Sequence, residues 1–86
     1  MELTSSNWTL IGNNVTDITF QNAGQYGFYI NFNDSNTDPT ENVGIVYGPF
    51  QGELKTFVSA MTYKISPNYV FARSITASGS VIVETA

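Results

Sequence analysis

Oxygen ligands at alternate positions in Asp34-Ser35-Asn36-Thr37-Asp38-Pro39-Thr40-Glu41 are the closest approach in this chain to a metal-binding motif. Their spacing resembles the first half of an EF-hand calcium loop. The match breaks at the sixth position, where Pro39 stands in place of the glycine that makes the sharp turn, and at the twelfth, where Ile45 replaces a bidentate glutamate. A solvated acidic loop is the expectation. Asp17, Glu53 and Glu84 could supply a carboxylate pair for glycoside hydrolysis, but scattered acidic residues on a small domain make accidental pairs. The chain has no histidine to serve as the base of a triad, and neither Lys55 nor Lys64 has a serine at a strained turn beside it. The absence of cysteine and histidine also removes disulfides, zinc-thiolate sites and imidazole ligands. Glycines are dispersed among strand ends and do not form a phosphate-cradling loop. The expectation is a protein without catalytic residues, metal or cofactor.

Charge narrows the partners. With 7 acidic against 3 basic residues the net charge is −4, and only Lys55, Lys64 and Arg73 could meet phosphate. Nucleic acid and anionic membrane surfaces are therefore not expected partners. No run approaches the ~18 apolar residues of a membrane span. Met1-Glu2-Leu3-Thr4 has neither the positive start nor the apolar core of a signal peptide, so synthesis and use without Sec export are expected. Sequons at Asn7, Asn14 and Asn33 then read as accidents of an Asn- and Thr-rich composition.

The elements that must position these residues are strands. Thr4 to Ile11 alternates with Trp8 and Leu10 on one face. Val15 to Phe20 alternates with Ile18 and Phe20 together, and Gln25 to Phe32 aligns Tyr26, Phe28, Ile30 and Phe32. Asn33 to Asn42 has no apolar residue and reads as a loop. Strands resume at Gly44–Tyr47 and Glu53–Val58, separated by the turn residues Gly48-Pro49-Phe50-Gln51-Gly52. Val58 to Ile65 is assigned to a strand because Met61, Tyr63 and Ile65 alternate and Thr62 and Tyr63 favour β structure. Tyr69–Ile75 and Val81–Glu84, joined by the polar loop Thr76–Ser80, have the sequence form of a β-hairpin. Seven or eight short strands with frequent turn signals predict an all-β fold, a single antiparallel β-sandwich or jelly-roll-like barrel spanning residues 1–86. Its expected core is Trp8, Ile18, Phe20, Phe28, Ile30, Phe32, Val46, Val70, Ala72, Val81 and Val83.

A chain of 86 residues buries only roughly 60 to 65% of the surface its unfolded form exposes, so association with neighbours is the expected source of additional stability. The aromatic content exceeds the charged content, 14% against 12%, which also suits faces that meet other proteins. Aromatic residues offer a second use as a sugar-stacking platform, with Trp8, Tyr26, Tyr29, Tyr47, Tyr63 and Tyr69 as candidates.

Tyr69-Val70-Phe71-Ala72-Arg73-Ser74, followed by Ser78-Gly79-Ser80-Val81-Ile82-Val83, resembles the C-termini of small β-rich virion proteins of tailed bacteriophages. Preceding segments follow a similar order: Ile18-Thr19-Phe20-Gln21-Asn22, then Tyr26 to Phe32, a polar loop, and Gly44 to Glu53. The resemblance implies a non-enzymatic structural protein of the virion, made in the host cytoplasm, either a capsid decoration (cement) subunit or a small tail or head-fibre component. Its implied partners are phage capsid or tail proteins and further copies of itself. Tyr29, Tyr47, Phe50, Phe57, Tyr69, Phe71, Arg73 and Ile82 are the expected contact residues. A carbohydrate-binding module for host surface glycans, using exposed tyrosines and the Asn33 to Glu41 loop, is the alternative.

Overall fold

Alternating apolar residues can be buried on one side only if each strand finds lateral partners for its backbone and a second layer for its apolar face. A computed structural model, which describes residues 1–76 and 78–85, shows how this chain meets both needs. Its strands are β1 (Glu2–Leu3), β2 (Thr9–Gly12), β3 (Asp17–Asn22), β4 (Phe28–Asn33), β5 (Ile45–Tyr47), β6 (Gly52–Phe57), β7 (Tyr69–Ser74) and β8 (Gly79–Thr85). They form two four-stranded sheets, β1-β8-β3-β6 and β2-β7-β4-β5, with antiparallel pairing throughout. This order is that of a jelly roll: only β4 and β5 are neighbours both in sequence and in a sheet, and every other connection crosses the sandwich. No helix among the described residues is long and apolar enough to cross a membrane.

The expected hairpin of residues 69–84 is corrected by this topology. β7 lies between β2 and β4 in one sheet, and β8 lies between β1 and β3 in the other. Val70 and Ala72 thus belong to one wall of the core and Val81 to the opposite wall, with Val83 packed against that core. Both strands are central and fill both of their ladder edges with distant partners, which a hairpin would have denied to one of those partners.

The interior is formed by Ile18 and Phe20 of β3, Phe28, Ile30 and Phe32 of β4, and Leu3, Ile11, Val70, Ala72 and Val81. Phe20 meets the edge of Tyr47 at 4.9 Å between ring centroids and 86° between planes, and Phe28 lies 6.2 Å from Phe20. One expected core residue, Val46, is exposed, and so is Tyr26, which the alternation aligns with Phe28, Ile30 and Phe32. Val46 points outward because Tyr47, paired with Phe28, takes the inward position on the three-residue strand β5. Tyr26 lies outside β4, which begins only at Phe28.

The strand expected over 58–65 is absent. Val58 to Ala60 form one turn of 3₁₀ helix, with the Val58 N–H donating to the Thr16 carbonyl at 3.0 Å and the Met61 N–H returning to Val58. Val58 is buried, whereas Tyr63 and Ile65 are fully exposed and pair with no strand, so their β propensity has no ladder to join.

Candidate interaction surface

Three of the charged groups able to do chemistry, Lys64, Arg73 and Glu53, are engaged in structural contacts. The Lys64 ammonium donates to Asn31 Oδ1 at 2.7 Å and to the Phe32 carbonyl at 2.8 Å, and it pairs with Glu41 at 3.2 Å. The Arg73 guanidinium donates to the Ser5 carbonyl and to Asn42 Oδ1, and stands 5.9 Å from the Trp8 ring. Glu53 accepts from the Tyr47 hydroxyl at 3.0 Å and from Thr56 at 3.4 Å. Among the described residues, no three His, Cys, Asp or Glu side chains are grouped to hold a metal ion.

The polar segment between β4 and β5 is a roof more than a free loop. Trp8 Nε1 donates to the Glu41 carbonyl at 3.0 Å, and Asn31 Nδ2 donates to the Val43 carbonyl at 2.9 Å. Phe71 lies in register with Leu10 and Asn31 on the outer side of its sheet, and it is nonetheless buried. Trp8 is likewise buried, apart from the inner core cluster. Phe71, expected as a contact residue, is therefore not available to a partner, and Arg73 is half-buried with two of its five N–H donors engaged.

Lys64 is the fastening of this roof. Lys64→Met is expected to cost about 1–2 kcal/mol in urea unfolding, since Asn31 and the Phe32 carbonyl lose a charged donor. Trp8, the sole tryptophan, should then emit further to the red. Its own backbone hydrogen bond first, and Lys64 second, hold the Glu41 carboxyl below the ordinary glutamate range. This contribution is present above the unfolded-state pKa and is lost as pH falls through the lowered one, while the Lys64 bonds to Asn31 and the Phe32 carbonyl remain.

The remaining expected contacts divide. Tyr47 is buried and faces inward, correcting its assignment to the surface. Tyr29 and Tyr69 are half-buried on the roofed sheet. Phe50, Phe57 and Ile82 are exposed, and Ile45, Val46 and Leu54 join them. Four of these, Ile45, Val46, Phe50 and Leu54, gather at the side of the sandwich where β5 and β6 are the unpaired edges of their sheets. One groove there, of about 590 Å³, is lined by Ile45, Val46, Tyr47 and Phe50 with Gln51, Gly52 and Glu53. A second, of about 300 Å³, lies between Phe50 and Leu54 over Thr19 and Gln21.

Phe50 separates the two grooves with 78% of its surface exposed. It occupies the third position of the turn Gly48-Pro49-Phe50-Gln51, closed by Gln51 N–H to the Gly48 carbonyl at 3.1 Å. Its φ of 65° belongs to the left-handed region that this position normally fills with glycine, at a cost of about 1–2 kcal/mol for a side chain. The conformation is imposed by its surroundings. Phe50 N–H donates to the Asn22 carbonyl, Gln21 Nε2 donates to the Phe50 carbonyl, and Gly48 N–H donates to Gln51 Oε1.

Asn22, the last residue of β3, is the hidden support of this region. It is fully buried. Its Nδ2 donates to the Tyr26 and Tyr47 carbonyls at 2.8 and 3.2 Å, and its Oδ1 accepts from Gly24 N–H at 2.9 Å. Nothing in the local pattern distinguishes it from the other asparagines of the chain.

The Tyr47 hydroxyl joins the two edges through Glu53. Burial first, and the adjacent carboxylate second, push its ionisation well above the ordinary tyrosine range. Stability from this group is complete below about pH 10, the ordinary value, and falls as pH rises toward the raised one. Alkaline destabilisation of no more than about 1.4 kcal/mol per pH unit should therefore be diminished in Tyr47→Phe. At neutral pH that variant should lose about 0.5–1.5 kcal/mol by calorimetry.

Fold and surface together define a jelly-roll β-sandwich that exposes Ile45, Val46, Phe50 and Leu54 beside two unpaired strand edges. No protein-family model, curated protein or solved structure matches the chain.

Proposed function

We propose that this protein is a non-enzymatic structural subunit of a tailed-phage virion, a capsid decoration subunit that stabilises the shell through protein–protein contacts. The observation that carries the reading is the outward display of large apolar side chains by a domain whose ionisable side chains Lys64, Arg73 and Glu53 serve its own architecture. Such exposure suits a subunit that gains stability from its neighbours. Tyr63 and Ile65, at 107% and 88% exposure on the connection between β6 and β7, are the proposed shell contacts. They lie at the end of the sandwich opposite the Gly48–Gln51 turn.

Glycan recognition has less support in the geometry. The exposed tyrosines Tyr26 and Tyr63 fall at opposite ends of the sandwich, and Tyr47 is buried. The test is to mix purified protein with phage particles lacking it. Saturable binding and a rise in the particles' melting temperature, both weakened by the double change Tyr63→Ser and Ile65→Ser, are expected. Failure of the wild type to bind, or a saturable signal on a glycan array instead, would overturn the reading.

A further inference from the structure

We propose that the side of the sandwich formed by β5 and β6 is a self-association surface, on which two copies of the chain pack with each Phe50 ring inserted beside β5 of the other. The inference deepens the structural-subunit reading and rests on its premise that the apolar surface faces protein. A two-fold interface requires that one patch carry both a projection and the recess that accepts it. Here the projection is Phe50, and the recess is the shallow, open groove of about 590 Å³ bounded by Ile45, Val46 and Phe50 itself.

Size is consistent with this occupant. Taking about 200 Å² for a fully exposed large side chain, Ile45, Val46, Phe50 and Leu54 together present roughly 500 Å². That is about two thirds of the roughly 800 Å² per partner found in stable protein interfaces. Each copy brings one carboxylate, Glu53, to the recess, where it accepts from the Tyr47 and Thr56 hydroxyls, so repulsion between the two acidic chains should be screened and association strengthened by added salt.

Contacts would be made by side chains. β5 has three residues, and β6 is broken by a bulge at which Lys55 has φ 45° and donates its N–H to Thr19 Oγ1. A short strand, a bulge and a lysine are the features that discourage strand addition at an edge. The aromatic projection, in contrast, is held in an unfavourable backbone conformation by the hydrogen bonds of its turn, so no loop ordering accompanies its docking.

Sedimentation and light scattering of the full chain across a concentration series test the proposal. The expected mass is twice the 9.4 kDa of one chain. Phe50→Ala and Phe50→Gly should each weaken dimerisation by about thirtyfold or more, the effect of an aromatic hot spot. Phe50→Gly also removes the positive-φ strain, so the isolated monomer should melt at a higher temperature than wild-type monomer at matched dilution. A fold defect cannot produce that combination. A wild type that remains monomeric to millimolar concentration, or a Phe50→Gly protein that dimerises as well as wild type, overturns the proposal. Particle binding is scored separately. A monomer that binds particles overturns self-association and leaves the shell role standing, whereas a dimer that ignores particles does the reverse.

Discussion

Asn22→Leu is expected to lower the free energy of unfolding by about 3–4 kcal/mol, although the new side chain has nearly the same shape. Leucine leaves the Tyr26 and Tyr47 carbonyls without the donors they now have, and leaves Gly24 N–H without its acceptor. An abandoned group costs about 1–3 kcal/mol where it is buried, as at the Tyr47 carbonyl, and less where it is part-buried, as at Tyr26 and Gly24. For 86 residues the whole stability is roughly 4–13 kcal/mol, so the change removes a large part of it. Urea titration measures the effect as a fall in midpoint at constant slope. Asn22→Asp separates the two halves of the side chain, since it retains an acceptor for Gly24 and abolishes the donor. It should also be severely destabilised, because a buried carboxylate would face two carbonyl oxygens. A loss under about 1 kcal/mol for leucine would show that the turns at 23–27 and 47–51 are held by their backbone bonds alone.

Phe20→Ala is the second large effect, at about 4 kcal/mol. Phe20 is almost completely buried where the two sheets meet, in edge-on contact with Tyr47 and 6.2 Å from Phe28. Its removal loses the transfer energy of the ring and leaves a cavity that the ladders of β3 with β6 and β8 prevent from collapsing. Phe20→Leu, which retains most of the volume, should lose about 1–1.5 kcal/mol. Coupling between Phe20→Ala and Tyr47→Phe in a double-mutant cycle should be small, because Tyr47→Phe keeps the ring in contact and removes only the hydroxyl. A coupling above about 1.5 kcal/mol would mean that the Tyr47–Glu53 hydrogen bond depends on Phe20 for its position.

Different parts of the molecule were unequally legible. The faces of β3 and β4 follow from alternation alone, because a two-residue period states which side chains leave a pleated backbone together. The phase of β5 did not. Three residues are too few to show a period, and the choice of Tyr47 over Val46 as the inward residue depends on its pairing with Phe28 and on a hydroxyl partner in β6. Phe71 looked like a surface aromatic because it lies out of phase with Val70 and Ala72. The roof that covers its side of the sheet is held by backbone carbonyls of Glu41 and Val43, groups that every residue possesses and no composition reveals.

The contact residues show the same division. Phe50 was marked by its apolar character beside a Gly-Pro pair, yet its forced conformation comes from Asn22 and Gln21, which lie 28 and 29 positions earlier in the chain. Leu54 reads only as a strand residue, and its exposure arises because β6 is an outermost strand with a bulge.

By itself, then, the amino-acid sequence determined an all-β chain, most of its inward-facing side chains, and a residue set without histidine or cysteine. These are local properties, legible within a few residues. Only the tertiary structure decided that β7 and β8 part into opposite sheets, that the polar loop closes over Trp8 and Phe71, and that the edges of β5 and β6 meet around Phe50. Backbone ladders accept almost any partner of the right length. The choice among partners is made by how two whole sheets bury their apolar faces against each other, a condition that no single segment contains.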